Sequence, residues 1–353
     1  MSQLQYTRRR KMKKIWSGAI VGVLLAASAG TAAFGMASTD KQAADGKEQR
    51  YAWPLATCST EDTITHVFAE SFAEEVERLS DGQMEIQVYP QSTLGGDREL
   101  MESCKDGDIT FVVQSPAPQV SFMPELCVFD TPCAFEDIEE ARDTIDDPRF
   151  QEIVQEIYEN AGYQLLGMAD QCFRVMTSSE PFEGMESFKG QKIRTMENTY
   201  HLQFWKAMGA NPTPMTFSEV YIGLQQGTID AQENAYELIV SAKLYEQQKY
   251  LIQTNAVPDY ITLISSDEFF QTLEEEQQEI IRQAAQNAQE KARESADTRQ
   301  GERQKQLEEE GMEIISVDET TWQEMRQACQ PVYENIREQA GEELFDLYMG
   351  TDE

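Results

Sequence analysis

The sequence predicts an α/β fold. Short apolar runs alternate with stretches of helical spacing, the alternation recurs in the second half, and a long Pro-free segment from Leu273 to Glu310 reads as one helix. At 353 residues there is length for two domains. With 40% apolar and 26% charged residues, the bulk of the chain is globular.

The elements follow in order. Tyr51, Trp53 and Leu55 alternate as a strand does, and Ile64, Val67, Phe68, Phe72, Val76 and Leu79 keep helical spacing. Asp81-Gly82 is a turn, after which Met84, Ile86 and Val88 alternate again. Leu100, Met101 and Cys104 mark a short helix ended by Gly107, followed by the apolar run Ile109–Val113. Continuous apolar strands between helices imply a mostly parallel, helix-covered sheet. In the second half, Leu165–Gly167, Phe173–Met176, Ile193–Met196 and Ile261–Ser265 read as strands. Helices are expected over Tyr200–Met208, Glu219–Gln226 (capped by Ser218, stopped by Gly227) and Asn234–Gln247. Apolar positions in Leu273–Glu310 are too sparse for sustained heptads, so a helix spanning two lobes fits better than a coiled coil. Trp322–Met349 is again amphipathic and helical.

The formal charge is −34, from 63 acidic against 29 basic side chains. Nucleic acid is therefore not an expected partner, because phosphate binding needs Lys and Arg to displace counterions. The basic residues that cluster, Arg8 to Lys14, precede an uncharged stretch from Ile15 to Thr39. A basic start, an apolar Ile15–Ala26 and the small-residue sites Ala27-Ser28-Ala29 or Gly35-Met36-Ala37 read as an export signal over residues 1–38. The alternative is a retained membrane anchor. Residues 39–50 are polar and small, as a linker would be.

The search for catalytic chemistry is mostly negative. The only histidines are His66 and His201, and no HExxH, GxSxG, Walker loop or GxGxxG occurs. No cofactor or metal is expected. Cys58, Cys104, Cys127, Cys133, Cys172 and Cys329 contain no CxxC pair. A Cys127–Cys133 loop bridge and buried free thiols both remain open. Gly95-Gly96-Asp97 reads either as an anion cradle at a helix start or as a plain loop-to-helix turn. Two arginines stand out: Arg174 and Arg194 each sit in an apolar strand-like context, where a guanidinium needs an anion. That anion is a ligand carboxylate or an internal acid.

Longer motifs bear on the choice. KGQKIRTMEN (Lys189–Asn198), GANPTPMTFSEVYIGLQQGTIDAQENA (Gly209–Ala235), KLYEQQKYL (Lys243–Leu251), YPQSTLGGDREL (Tyr89–Leu100) and the VFDTP run ending at Pro132 resemble the TRAP transporter solute-binding family over roughly Tyr51 to Gly311. The resemblance implies a two-lobed, periplasmic-binding-protein-like receptor, not an enzyme. Such a receptor closes on a small organic acid and hands it to TRAP membrane permease subunits. It implies an exported monomer, in the periplasm or on the outer face of the cytoplasmic membrane. Lobe I would take residues 51–171 and 260–299, and lobe II residues 172–259 and 300–353. By motif, Arg194 matches the main carboxylate-binding arginine, Arg174 a second pocket arginine, Asn234 the pocket asparagine and Phe217 an aromatic wall. Ser115 and Cys58 fall at strand ends lining the first lobe's side. The sequence departs from the family pattern in having Ala235 where QENP has proline, Cys133 where an aromatic is usual and Cys172 where glycine is frequent. Cys58, Cys133 and Cys172 are all expected near the cleft. Two other readings are a secreted enzyme acting on an acidic small molecule and a co-receptor presenting ligand to a sensor.

Overall fold

The computed structural model describes residues 51–351, so the expected export signal and linker lie outside the described residues. The chain opens with β1 (Tyr51–Ala56) and α1 (Ile64–Leu79). Thr63 starts that helix, its Oγ1 accepting from the His66 N–H at 3.2 Å. Asp81 and Gly82, both at positive φ, turn the chain into β2 (Met84–Tyr89), and α2 (Asp97–Lys105) and β3 (Phe111–Gln114) follow. Sequence reading assigned nothing over 117–160. The structure has two 3-10 stretches there, Ala117–Ser121 and Pro124–Asp130, then α3 (Ile138–Asp146) and α4 (Pro148–Asn160). The start signals were present: Asp137 and Asp147 both cap with their carboxylates, and Pro148 opens α4.

Next come β4 (Tyr163–Ser178), β5 (Lys192–Thr195), α5 (Thr199–Ala207), β6 (Asn211–Pro214), α6 (Val220–Gln225), β7 (Ala231–Asn234) and α7 (Tyr236–Ser241). The chain closes with β8 (Tyr250–Ser266), α8 (Asp267–Gln271), α9 (Glu275–Glu309), β9 (Glu313–Ser316), α10 (Glu319–Ala328), α11 (Gln330–Ala340) and α12 (Glu342–Tyr348).

Several expectations are corrected here. The two short strands expected over 165–176 are one strand of 16 residues, β4, because the polar Asp170-Gln171 between them is buried and paired instead of looping out. Ser218 does not cap α6; it sits in a 3-10 turn, Phe217–Glu219, and the helix starts without a side-chain cap. Asn234 ends a strand, and the helix after it runs only over Tyr236–Ser241, since Lys243 takes a left-handed conformation. Ala235 keeps φ at −64°, close to the value a proline ring imposes, so the usual turn survives the substitution. The amphipathic C-terminal segment is three helices.

One sheet holds nine strands in the order β2-β1-β3-β8-β4-β7-β5-β6, with β9 on β8. Pairings of β1 with β2 and β3, of β5 with β6 and β7, and of β8 with β9 are parallel, as expected. The spine is not: β4 and β8 run antiparallel along their length, and so do β3–β8 and β4–β7. That spine is irregular between Asp170 and Phe173, where Cys172 has φ +61°. The left-handed conformation at this bulge is one that favours glycine.

Strand alternation divides the core into four clusters. In the first half, Leu55, Phe111 and Val113 face α1 and α9, whereas Ala56 and Val112 face the side of Phe129 and Phe150. In the second half, Val175 and Leu251 join Leu307, whereas Met176 and Ile252 join Trp205 and Tyr333. The 35-residue α9 therefore serves both lobes: Ile281, Ala284, Ala288, Ala292 and Ala296 pack against α1, and Leu307 packs in the second half. Small side chains at this spacing let α9 lie close on the sheet. At Gly167 a Cβ would meet the Phe68 ring at 3.2 Å and the Gln289 amide at 3.3 Å. The end of the chain, expected with lobe II, packs Leu344 and Tyr348 of α12 among Phe129, Phe150 and Tyr260. No helix among the described residues is long and apolar enough to cross a membrane.

Candidate functional site

Parallel strands deliver their carboxyl ends, and the loops after them, to a common edge, where α/β folds bind ligands. Here that edge encloses a cavity of ≈ 50 Å³. β1 brings Thr57, Cys58 and Ser59 to it, and β3 brings Gln114 and Ser115. β5 brings Arg194 and Met196, and β7 brings Asn234. The spine adds Gln171 and Arg174 from β4 and Asp259 from β8. All six residues singled out from the sequence, Arg194, Arg174, Asn234, Phe217, Ser115 and Cys58, line this one cavity.

The two arginines differ sharply. Arg174 is buried and saturated on one side: Nε donates to Glu233 Oε2 at 2.5 Å, Nη1 to Asp259 Oδ1 at 2.7 Å and Nη2 to Asn234 Oδ1 at 2.9 Å. Burial alone would lower its pKa, but Asp259 and Glu233 hold it above the ordinary arginine value. Arg194 is equally buried, 2% exposed, yet its Nε donates only to the Met215 carbonyl at 2.9 Å and its Nη1 has no partner among the described residues. Burial lowers its pKa to about 10; Glu233 opposes this and the nearby Arg174 charge reinforces it. Arg194 is thus a desolvated cation with no carboxylate at hydrogen-bond distance among the described residues.

Behind Arg174 the polar network continues away from the cavity. His201 Nε2 lies 3.0 Å from Asp130 Oδ1, and its Nδ1 faces Glu233 Oε1 at 3.7 Å. Burial disfavours the imidazolium, but the bonds to Asp130 and Glu233 outweigh it and raise the pKa to about 9. His201 therefore belongs to a buried ion network and not to a surface. Asn198 Nδ2 ties the same Asp130 and the Ala117 carbonyl (2.7 Å) to the start of α5.

Sequence reasoning missed Gln114, Gln171, Thr65 and Asp97, which also line the cavity. Asp97 was singled out only within a possible anion cradle; its carboxylate argues against an anion cradled by Gly95-Gly96-Asp97 at the start of α2. Burial raises its pKa, while a Cys58 contact and the Arg194 charge pull it down. Uncharged glutamines in strands carry no sequence pattern that separates a pocket from a core. The expectation that Cys133 and Cys172 lie near the cleft is corrected, since neither is among its lining residues. Cys172 turns toward α9, its Sγ 4.0 Å from the Ala296 carbonyl, and Cys133 packs with Cys329 in the second-half core. All six cysteines are free and buried, so Cys127 and Cys133 form no bridge. A larger depression of ≈ 310 Å³ lies between α4, β4 and α9, but its only charged lining residue, Asp146, already pairs with Arg293 at 2.6 Å. No cluster of three potential metal ligands exists among the described residues.

The model of the bacterial extracellular solute-binding proteins, family 7, matches residues 55–340. The chain belongs to this family. Its members are binding proteins, many of them known as TRAP periplasmic solute-binding proteins. The family 7 chain is 34% identical to the ectoine-binding periplasmic protein TeaA of Halomonas elongata, over 66% of this chain and 68% of that protein. Its fold matches a TRAP solute-binding protein of Bordetella, with density described as pantoate, at TM-score 0.81 and 30% identity, over 86% of this chain and all of the other. A TRAP solute-binding protein of Polaromonas bound to D-erythronate matches at TM-score 0.81 and 31% identity, with the same coverage.

Proposed function

We propose that this family 7 protein is the extracytoplasmic receptor of a TRAP transporter, capturing a small organic acid between its lobes and delivering it to membrane permease subunits. The observation that carries this is Arg194, a buried guanidinium whose Nη1 has no partner and which lines an interlobe cavity. Its planar fork suits a carboxylate. Arg174, held by Glu233 and Asp259, serves as a rigid polar wall with one Nη1 hydrogen to spare, and it holds Asn234 in place. Phe217, Ser115 and Cys58 close the remaining sides. The acids bound by the Bordetella and Polaromonas proteins fit this chemistry.

Lobe I comprises residues 51–171 and 260–299 and lobe II residues 172–259 and 300–353, with α12 reaching back to lobe I. The bulge at Cys172 falls at one of these boundaries. The receptor acts as a monomer and performs no chemistry on its ligand: Cys58 meets the Asp97 carboxylate, but burial and that negative charge push its pKa up and keep it a thiol, and His201 is engaged elsewhere. The mature chain is exported, beginning between Gly30 and Asp40.

Mass spectrometry of ligand released from the native protein, with calorimetry of the identified acid and its amide, tests the reading. The acid should bind and the amide should not; equal binding of both would sink it. N-terminal sequencing that recovers Met1 in the cytosol would overturn export.

A further inference from the structure

Two of the six buried thiols face each other. The other four turn to backbone carbonyls: Cys58 Sγ to Gly95 at 3.5 Å, Cys104 to Thr110 at 3.9 Å, Cys127 to Ile336 at 3.8 Å and Cys172 to Ala296 at 4.0 Å. Cys133 and Cys329, far apart in the chain, instead make a side-chain hydrogen bond to one another, and both are fully buried in the second-half core.

The backbone holds them there. Cys329 stands where α10 ends and α11 begins, and its carbonyl accepts from the N–H groups of Val332 at 2.8 Å and Tyr333 at 3.0 Å. The Tyr333 hydroxyl then donates to the Pro132 carbonyl at 2.6 Å. One residue thus ties the backbone of one cysteine to the residue before the other. Cys133 has φ +53°, a left-handed conformation that persists in a residue other than glycine only where its surroundings impose it. Its N–H donates to the Ala256 carbonyl at 2.6 Å. Two thiols held in contact by their backbones react with each other ahead of any thiol that must first be brought close.

The chemistry also sets the moment. The thiolate is the nucleophile, and contact with Cys133 together with burial pushes the Cys329 pKa up, so the packed core does not supply one. The reaction belongs to the folding chain, before the core closes. One cysteine thiolate attacks an external disulfide, displacing one thiol and leaving a mixed disulfide; the second cysteine attacks the cysteine sulfur of that intermediate and displaces the other thiol. The two electrons pass to the external disulfide, a small molecule or a disulfide-carrying protein, and the two cysteine protons end on the displaced thiols.

We propose that Cys133 and Cys329 join in a disulfide when this chain folds in an oxidising compartment, stapling the Pro132-Cys133 turn to the α10–α11 junction. This rests on the export reading above, since a cytosolic chain keeps its thiols reduced. The bridge closes a long stretch of chain, which restricts the unfolded state, and it lies within one core cluster, away from the residues lining the cavity.

Refolding the full chain with and without a mixture of oxidised and reduced glutathione tests the idea, with thiols counted in denaturant and peptides mapped by mass spectrometry without reduction. Oxidative refolding should consume two of the six thiols and join the Cys133 and Cys329 peptides. The oxidised protein should melt about 5 °C or more above the reduced one. Cys133→Ala and Cys329→Ala should each abolish that gap, whereas Cys172→Gly, at a position whose left-handed φ suits glycine, should keep it. Retention of all six thiols, or a bridge between other cysteines, would overturn the proposal, and mapping of the wild-type protein decides this even where a variant folds poorly. Native protein recovered from its own cells separates the two readings. A processed N-terminus with both thiols free overturns the bridge; an intact Met1 with free thiols overturns export instead, and the refolding result then decides the pair.

Discussion

Arg174 and Asp259 form a buried ion pair, Nη1 to Oδ1 at 2.7 Å, between the long strands β4 and β8. Glu233 adds a second carboxylate from β7, shared with His201. Arg194, on β5, faces the same cavity with no such partner. Two arginines that look alike in sequence therefore have opposite surroundings, and the consequences can be measured.

Stability separates them first. Arg174→Met strands Asp259 as a buried unpaired charge and leaves Glu233 with His201 alone, a change that typically costs about 3–5 kcal/mol. Arg194→Met removes a buried cation that burial already disfavours, so the unliganded protein should keep or raise its melting temperature. Urea and thermal unfolding of the two variants check this. A similar loss in both would mean that Arg194 has an internal anion after all.

Affinity separates them next. A desolvated, hydrogen-bonded charge pair truncated on one side typically loses ~2–5 kcal/mol. Arg194→Ala should then weaken binding of the cognate acid by roughly 30- to 4,000-fold. Arg194→Lys keeps the charge but not the fork, and should rescue only partly. Calorimetry that finds Arg194→Ala within about threefold of wild type would remove Arg194 from the site.

Alkaline pH should loosen the fold through His201. Its pKa rises from an ordinary 6.5 to about 9 between Asp130 and Glu233, so the folded state binds its proton more tightly than the unfolded state. The stabilisation is complete below about pH 6.5 and is lost as pH rises through 9; it is on the order of 3 kcal/mol. Buried thiols such as Cys104, pushed up to about 12 by burial, add a fall of the same sign at higher pH. His201→Gln isolates the effect: the drop in unfolding free energy between pH 6.5 and 9 should shrink. An unchanged profile would show that His201 does not carry it.

Closure should depend on a charge bridge across the lobes. Asp62, ahead of α1, meets Arg299 at 2.8 Å and Arg303 at 2.6 Å, and both arginines of α9 also hold Glu237 of α7, at 2.8 and 3.1 Å. Asp62 is largely exposed, so its share is worth about 0.2–1 kcal/mol and is screened by salt. Asp62→Asn should weaken ligand binding by roughly two- to fivefold and raise the radius of gyration of the unliganded protein in small-angle scattering. Glu74→Gln, which breaks an exposed α1–α9 pair with Lys291 within lobe I, is the control and should change neither.

Much of this protein was legible in the sequence because periodicity and motif are local. Alternation marked β1 and β2, Pro-free spacing marked α9, and the KIR and QEN motifs led to Arg194 and Asn234, which line one cavity. Tertiary structure decided the rest, because it depends on partners distant in the chain. Whether a buried arginine is spoken for depends on acids that β7 and β8 bring beside β4, and no local pattern announces that Glu233 and Asp259 pair there while Arg194 gets only the Met215 carbonyl. Burial, not spacing, made Asp170-Gln171 part of a continuous strand, turned Cys172 away from the cavity and left the buried amide of Gln114, a residue lining it, without a partner.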